Sequence, residues 1–338
     1  MKTKSRDGLK RGLVWVGLSL FAFIGGCSNS AFSGRKNLEG PSQLVQVTSQ
    51  PWHENGYDGL VLSTPHYQIY TTISRDDAWQ TLAQTLEGAY VEYQKIVPGV
   101  KPSDKPMPCY VFGNYQQWRR FTIGRTGADS KVYLQVMNGG YAFEDMFVAY
   151  YMNDAATRSV AAHEGWHQFV SRNFKGRIPP FLEEGIATMF EDLEFEGDLP
   201  RWNLSVNRSR LQHLRQAVEG NYLYPLQTIV GLHAGNVIDQ SGTRIMTFYA
   251  ESWGFATFLW NGQDQKYRPA LQKMLADIAN GTVYDPTGAF QNRNRPWVAA
   301  GVQPILEHYL GQPLSQIDVE FKQYIQKVAF DQYSQQFD

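Results

Sequence analysis

The spacing of apolar residues changes along the chain. In the first half, alternation of apolar and polar positions predicts β-strands at 60–62, 67–73, 109–112 and 131–136. Helical spacing between these stretches predicts helices at 78–96 and 115–121. Beyond residue 201 the helical spacing dominates. The pattern therefore predicts an α+β fold, with an N-terminal mixed β-sheet and helices followed by a mainly helical C-terminal part.

Two helices are predicted in the middle of the chain. Asn153 or Asp154 can cap the first of them, because both side chains accept hydrogen bonds from free backbone N–H groups. Pro179-Pro180 can begin the second, since proline is well tolerated in a first helical turn. One stripe of the first helix consists of Val160, His163, His167, Val170 and Phe174. Its histidines are therefore expected on the apolar side, where an unsatisfied polar group is costly.

The C-terminal part reads as a series of helices. They are predicted at 208–218, 225–233, 246–260, 267–278 and 304–330, the last one split at 311–313. The helix at 246–260 is apolar on more than one face, which predicts that it is buried.

Composition and charge exclude some functions. The 338 residues are 43% hydrophobic and 14% aromatic, which is enough for a substantial core. The formal net charge is −1, with 31 basic and 32 acidic residues, so nothing indicates a nucleic-acid partner. The acidic run at 191–198 is interpreted either as a solvated loop or as a surface for a cationic substrate.

The first 27 residues have the pattern of an export signal. Five basic residues precede an apolar run at 13–24, which is short for a membrane-spanning helix. The run ends in Ile24-Gly25-Gly26-Cys27, which resembles a bacterial lipobox. The resemblance implies cleavage before Cys27, a lipid anchor on its thiol and, with Ser28 next, a location at the outer membrane of the cell envelope. The alternative is an ordinary signal peptide with an incidental cysteine. The polar residues 28–58 are expected to form a flexible tether.

The strongest chemical signal is the run His163-Glu164-Gly165-Trp166-His167. Histidines at i and i+4 lie one turn apart on the same side of a helix, so both imidazoles can reach one cation. Glu164 points to an adjacent face, where it can take a proton from a metal-bound water without being a ligand. The alternative is two half-buried histidines satisfied by backbone carbonyls.

A catalytic zinc site needs a third protein ligand and leaves its fourth position to water. Glu184 in the second predicted helix can supply that ligand. Gly185 and Ala187 are small, and they are expected to let this helix approach the first one closely.

These two segments together resemble the gluzincin zinc metallopeptidases. The resemblance is carried by His163-Glu164-x-x-His167 followed by Phe181-Leu182-x-Glu184-Gly185-Ile186-Ala187-x-x-x-Glu191. It implies Zn²⁺ bound by His163, His167 and Glu184, with Glu164 as the general base and Glu191 orienting a ligand histidine. The metzincin pattern does not fit, because Val170 and Asn173 occupy its glycine and histidine positions.

The sequence departs from the gluzincin pattern at two places. Phe181 stands where the family commonly has tryptophan, and Glu183-Glu184 is doubled. The doubling leaves two candidates for the third ligand. Helical geometry favours Glu184, because Glu183 is expected nearer the apolar edge at Phe190.

The resemblance also implies substrate-binding features. Gluzincins hold extended substrate along an edge strand beside the zinc helix, and residues 143–151 are the candidate here; a hairpin that only closes the sheet is the alternative. Tyr249 is a candidate for stabilising the oxyanion, with a role in core packing as its alternative. His213 and His233 are weaker candidates for the same role.

Three functional hypotheses follow. The first is a zinc metallopeptidase that hydrolyses a peptide or protein substrate in the cell envelope. The second is a zinc amidase that acts on another envelope amide, and the third is a non-catalytic, envelope-anchored binding lipoprotein. In this interpretation 1–27 is a lipoprotein signal peptide, 59–200 is an α/β metallopeptidase-like part with both zinc helices, and 201–338 is a helical C-terminal part.

Overall fold

The computed structural model describes residues 38–101, 104–135, 139–237 and 241–332. The predicted signal peptide, with Cys27, and the first part of the predicted tether lie outside these residues. Within the described ranges no helix combines the length and the apolar character that a membrane span requires.

A six-stranded sheet forms the N-terminal part, and a short hairpin follows it. The strands of the sheet are β1 (Thr48–Glu54), β2 (Tyr57–Ser63), β3 (Tyr67–Thr71), β4 (Met107–Phe112), β5 (Gly140–Phe143) and β6 (Met146–Tyr150). Their order is β1-β2-β3-β4-β6-β5. Strands β3, β4 and β6 run parallel, whereas the pairs β1–β2, β2–β3 and β5–β6 are antiparallel. The separate hairpin consists of β7 (Leu193–Glu196) and β8 (Leu199–Trp202).

Helices surround the sheet and make up the C-terminal part. They are α1 (Asp76–Ile96), α2 (Tyr115–Thr126), α3 (Ser130–Tyr133), α4 (Asp154–Asn173), α5 (Pro180–Thr188), α6 (Arg208–Glu219), α7 (Leu226–Ile229), α8 (Ala234–Val237), α9 (Gly242–Gln265), α10 (Arg268–Asn280), α11 (Val302–Leu310) and α12 (Leu314–Lys327). The mixed sheet and the helical C-terminal part confirm the predicted α+β fold.

The parallel strands place α1 and α4 on one face of the sheet. Alternate residues of β4 and β6, such as Val111 and Ala149, join a core with Leu86 of α1 and Val160 of α4. The opposite face packs against α2, where Trp118 contacts the Tyr150 ring. Helix α4 thus packs against both the sheet and the neighbouring helix α1.

Helix α9 is the central helix of the C-terminal part. Every residue from Thr247 to Trp260 is buried, which confirms the prediction for this segment. It lies against α5 so closely that a Cβ on Gly185 would come 2.1 Å from the Ser252 carbonyl oxygen. The prediction that Gly185 allows α5 to approach α4 was therefore wrong, since the close neighbour of this glycine is α9.

Two N-terminal predictions were wrong for physical reasons. The predicted tether of 28–58 contains strand β1, whose only buried side chain is Trp52. An edge strand with one buried residue has no alternation for a sequence pattern to detect. The predicted strand at 131–136 begins as the short helix α3, in which Tyr133 is buried and Val132 is 43% exposed.

The predicted helix at 225–233 was too long, because only the single turn α7 (Leu226–Ile229) forms within this range. The next short helix, α8, begins after it at Ala234. The acidic run at 191–198, interpreted as a loop or a substrate surface, contains β7 and the turn to β8.

Candidate metal centre

Helix α4 begins with a well-formed cap. Asn153 has an extended backbone and its side-chain oxygen accepts a hydrogen bond from the N–H of Ala156 at 2.8 Å. Ten residues into the helix come His163 and His167, both buried, with 0% and 5% of their surface exposed. They face the same direction, as their i, i+4 spacing predicts.

Helix α5 brings a carboxylate to these two histidines. It begins at Pro180, and both Glu183 and Glu184 are buried in it. The Glu184 Oε2 atom lies 3.5 Å from Nε2 of His163 and 3.5 Å from Nε2 of His167. The two Nε2 atoms are 3.3 Å apart, so the three atoms form a nearly equilateral triangle.

This triangle has the size that a tetrahedrally coordinated metal ion requires. Metal–ligand bonds of about 2.05 Å in a tetrahedron place the ligand atoms about 3.3 Å from each other. His163, His167 and Glu184 can therefore hold one metal ion through these three atoms.

The hydrogen bonds on the far sides of the rings set the tautomers. Nδ1 of His163 lies 2.9 Å from Glu191 Oε1, and Nδ1 of His167 lies 3.1 Å from Glu183 Oε1. Because an ionised carboxylate only accepts, each Nδ1 donates, and a neutral ring then has a lone pair on Nε2. When both rings are neutral, two nitrogen lone pairs and a carboxylate oxygen thus converge in a buried space, where a cation would satisfy all three.

The doubled glutamate divides into two roles. Glu184 points to the Nε2 atoms, whereas Glu183 contacts Nδ1 on the opposite edge of the His167 ring. The expectation that Glu183 lies toward the apolar edge at Phe190 was wrong. Sequence reasoning missed this orienting contact, because the direction of two adjacent helical side chains depends on how α5 packs.

Glu191 is held by several donors. Arg210 makes two hydrogen bonds to it, from Nε to Oε2 at 2.8 Å and from Nη2 to Oε1 at 2.7 Å. Asn207 donates to its Oε2 at 2.8 Å. Sequence reasoning did not find Asn207 or Arg210. One signal was present, since Arg210 stands on the apolar stripe of α6 with Leu214 and Ala217.

These contacts keep the buried carboxylates ionised. Burial disfavours the charged form of Glu184, but His167 and His163 outweigh it and lower its pKa to about 2. Burial acts likewise on Glu191, where Arg210 and His163 lower the pKa to about 2. Burial lowers the pKa of His163, and hydrogen bonds to Glu184 and Glu191 raise it to about 9. Without a bound cation, protonated imidazoles and ionised carboxylates thus stabilise each other, and a cation in the triangle would take the place of the Nε2 protons.

Glu164 lies beside this cluster without belonging to the triangle. It is fully buried on α4, and its charge contributes to raising the pKa of Tyr249 on α9. Burial first, and then Glu184, raise the pKa of Tyr249 well above its ordinary value, so its hydroxyl stays protonated. Its oxygen has no hydrogen-bond partner among the described residues. Tyr249 is therefore a buried donor near three carboxylates.

The two weaker histidine candidates are placed differently. His233 is half-buried against the Trp297 ring; burial lowers its pKa, while the charge of Glu184 acts in the opposite direction. His213 is on α6, where burial and then Arg210 lower its pKa. His233 is thus within the electrostatic reach of the candidate ligand Glu184. The pKa of His213 is lowered chiefly by burial, with a smaller contribution from Arg210.

The sheet edge nearest the centre is β5, the last strand in the sheet order. The predicted candidate, 143–151, consists mostly of β6, which pairs on both sides with β4 and β5. That candidate was therefore wrong, because a strand between two others has no free edge. Gly140 of β5 lies close to α4, since a Cβ there would come 3.1 Å from Val160, one turn before His163.

Comparison with known proteins gives no relative. The chain matches no family model, no curated protein and no solved structure.

Proposed function

We propose that this protein is a zinc-dependent metallopeptidase that hydrolyses peptide bonds in the bacterial cell envelope. One observation carries the proposal: the triangle of His163 Nε2, His167 Nε2 and Glu184 Oε2, with edges of 3.3, 3.5 and 3.5 Å, beside the buried Glu164. The predicted lipid anchor on Cys27 supports the location.

The donor set favours zinc over other common cations. Two imidazole nitrogens and one carboxylate oxygen suit Zn²⁺, whereas Mg²⁺ and Ca²⁺ prefer oxygen ligands alone. A structural zinc site normally has four protein ligands. Among the described residues three His, Cys, Asp or Glu side chains meet here, which favours a catalytic centre.

The residues around the triangle have complementary roles in amide hydrolysis. A bound zinc ion would polarise the scissile carbonyl and lower the pKa of a water molecule. Glu164 accepts a proton from the attacking water and delivers it to the leaving amine. The Tyr249 hydroxyl donates to the oxygen of the carbonyl as it gains negative charge. Glu183 and Glu191 keep the imidazoles in the required tautomer.

The edge of β5 offers a place for an extended substrate. A peptide that adds to β5 as a further strand would pass near the turn of α4 before His163. Main-chain hydrogen bonds of this kind bind peptides with little dependence on side chains.

The test uses the soluble form without residues 1–27, loaded with zinc and incubated with a diverse peptide mixture, and mass spectrometry identifies the products. We expect cleavage by the wild type and none by Glu164→Gln, which keeps the size of the side chain and one acceptor oxygen but not its basicity. Zinc content and the circular dichroism spectrum should be unchanged in this variant. We expect Tyr249→Phe to lower kcat about 100-fold with zinc content retained. Equal turnover by Glu164→Gln and wild type would refute the mechanism.

A further inference from the structure

Asn207 and Arg210 connect the metal centre to the C-terminal helices. Both stand at the start of α6 and are almost fully buried, with 2% and 1% of their surface exposed. Their partner Glu191 lies just after α5. The contact therefore joins the start of α6 to the end of α5, and both segments come after α4 in the sequence.

Arg210 fixes the carboxylate that holds His163. The Glu191 Oε1 atom lies 2.7 Å from Arg210 Nη2 and 2.9 Å from His163 Nδ1, so both donors meet on one oxygen. The second contact, from Arg210 Nε to Oε2 at 2.8 Å, prevents the carboxylate from rotating. The direction in which His163 presents Nε2 therefore depends on Arg210.

Asn207 uses each of its polar atoms in this assembly. Its Nδ2 donates to Glu191 Oε2 and to the Thr188 carbonyl, both at 2.8 Å. Its Oδ1 accepts from the N–H of Arg210 at 3.0 Å and so caps α6. Since Thr188 ends the helix that carries Glu184, Asn207 supports the elements behind two of the three candidate ligands.

We propose that Asn207 and Arg210 are positioning residues for the metal, and that docking of α6 is thermodynamically coupled to metal binding. This inference rests on the metal-binding part of the proposed function and not on hydrolysis. The coupling is reciprocal: whatever α6 contributes to metal affinity, the metal returns as stability of α6.

The first experiment measures zinc affinity of the soluble chain by competition with a chromophoric chelator. We expect Arg210→Met to weaken zinc binding by about 10–100-fold, the usual effect of losing a group that orients a ligand. Arg210→Lys, which keeps the charge but not the paired geometry, should fall in between. Asn207→Ser keeps an oxygen for the helix cap but loses the amide donor, and should weaken binding several-fold.

Arg208→Met is the matched control. Arg208 is on the same helix and pairs with Asp192 at 2.7 Å, but its side chain is 47% exposed. The carboxylate of Asp192 does not contact His163 or His167, which are bonded to Glu191 and Glu183. We expect its zinc affinity to equal that of the wild type. The visible spectrum of the Co²⁺-loaded chain should change in the Arg210 variants and not in the Arg208 variant. Wild-type affinity and an unchanged spectrum in folded Arg210→Met would overturn the proposal.

A second measurement needs no substitution, so it tests the coupling between α6 docking and metal binding even if Arg210→Met does not fold. Hydrogen exchange of the wild type should slow in α6 when zinc is added, and much less in α12. Equal protection of both helices would overturn the coupling. The two proposals fail separately: zinc-dependent protection of α6 without any peptide cleavage would refute only the hydrolase, whereas cleavage with wild-type zinc affinity in the Arg210 variants would refute only the positioning role.

Discussion

The two faces of α9 offer a comparison between buried carboxylates in opposite states. Tyr249 faces the candidate metal centre, where the pKa values of Glu184 and Glu191 are lowered to about 2. Two residues further, Glu251 faces the loop after α6 and accepts a hydrogen bond from the Tyr224 N–H at 2.7 Å. Burial raises the pKa of Glu251 to about 8, and this N–H only partly opposes it.

Glu184 and Glu191 differ from Glu251 in the cationic groups that contact them and not in how deeply they are buried. All three carboxylates are 1–6% exposed. Glu191 has a paired guanidinium and Glu184 has two imidazoles, whereas Glu251 has one backbone N–H. An ionised carboxylate in such surroundings needs an opposite charge in contact with it. On the side of α9 that carries Tyr249, the surroundings of Glu184 and Glu191 therefore stabilise ionised carboxylates, and we call this side the charged face. On the side that carries Glu251, the surroundings favour the neutral form and exclude charge.

The largest effect should come from breaking the charged face. In Glu191→Gln the Arg210 guanidinium stays buried without an opposite charge, so we expect the free energy of unfolding to fall by about 3–5 kcal/mol. Urea denaturation in EDTA measures this without a contribution from bound metal. The double variant Glu191→Gln/Arg210→Met should recover part of the loss, because it removes both charges. A loss below about 1 kcal/mol in Glu191→Gln would show that the ion pair does not hold this face together.

Only part of the fold and of the charged face could be predicted from the sequence. The i, i+4 spacing was enough to place His163 and His167 together, because helical geometry is local. The strands predicted at 60–62, 67–73 and 109–112 overlap β2, β3 and β4. All three lie inside the sheet, and β3 and β4 bury alternate residues along most of their length. Prediction succeeded where a local period decided the structure.

The remaining features depended on tertiary contacts. Asn207 and Arg210 reach Glu191 only because the chain turns back after the hairpin β7–β8 and brings the start of α6 to Thr188 and Glu191. No local pattern encodes that return. The roles of Glu183 and Glu184 were uncertain because adjacent helical side chains diverge by about 100°, and packing against α9 selects which of them faces the histidines.

The second prediction concerns the face that excludes charge. Because the pKa of Glu251 is raised to about 8 from 4.5, its contribution to stability is complete below about pH 4.5 and is lost as the pH rises toward 8. We expect Glu251→Gln, which is neutral throughout and can still accept from Tyr224, to gain about 2–3 kcal/mol relative to the wild type between about pH 5 and about pH 7. Urea denaturation across this range gives the difference directly. A constant difference between the two proteins at every pH would contradict the assignment of a neutral carboxyl to this face.

The smallest effect should come from packing against the charged face alone. In Gly185→Ala the new methyl group meets the Ser252 carbonyl of α9 at 2.1 Å, and a helical backbone has little room to move. Overpacking costs about 1–3 kcal/mol and the helix propensity of alanine returns about 1 kcal/mol, so we expect a net loss of up to about 2 kcal/mol. Zinc affinity should fall together with stability, because displacing α5 displaces Glu184.

Gly254→Ala is the control on α9 itself, since its methyl group would meet Leu214, Phe321 and Ile325 at ordinary contact distances of 3.6–3.8 Å. This variant should keep both stability and zinc affinity. Equal losses of stability and zinc affinity in Gly185→Ala and Gly254→Ala would contradict this prediction. The two sides of α9 would then be equally sensitive to packing, and the close approach of α5 would have no part in placing Glu184.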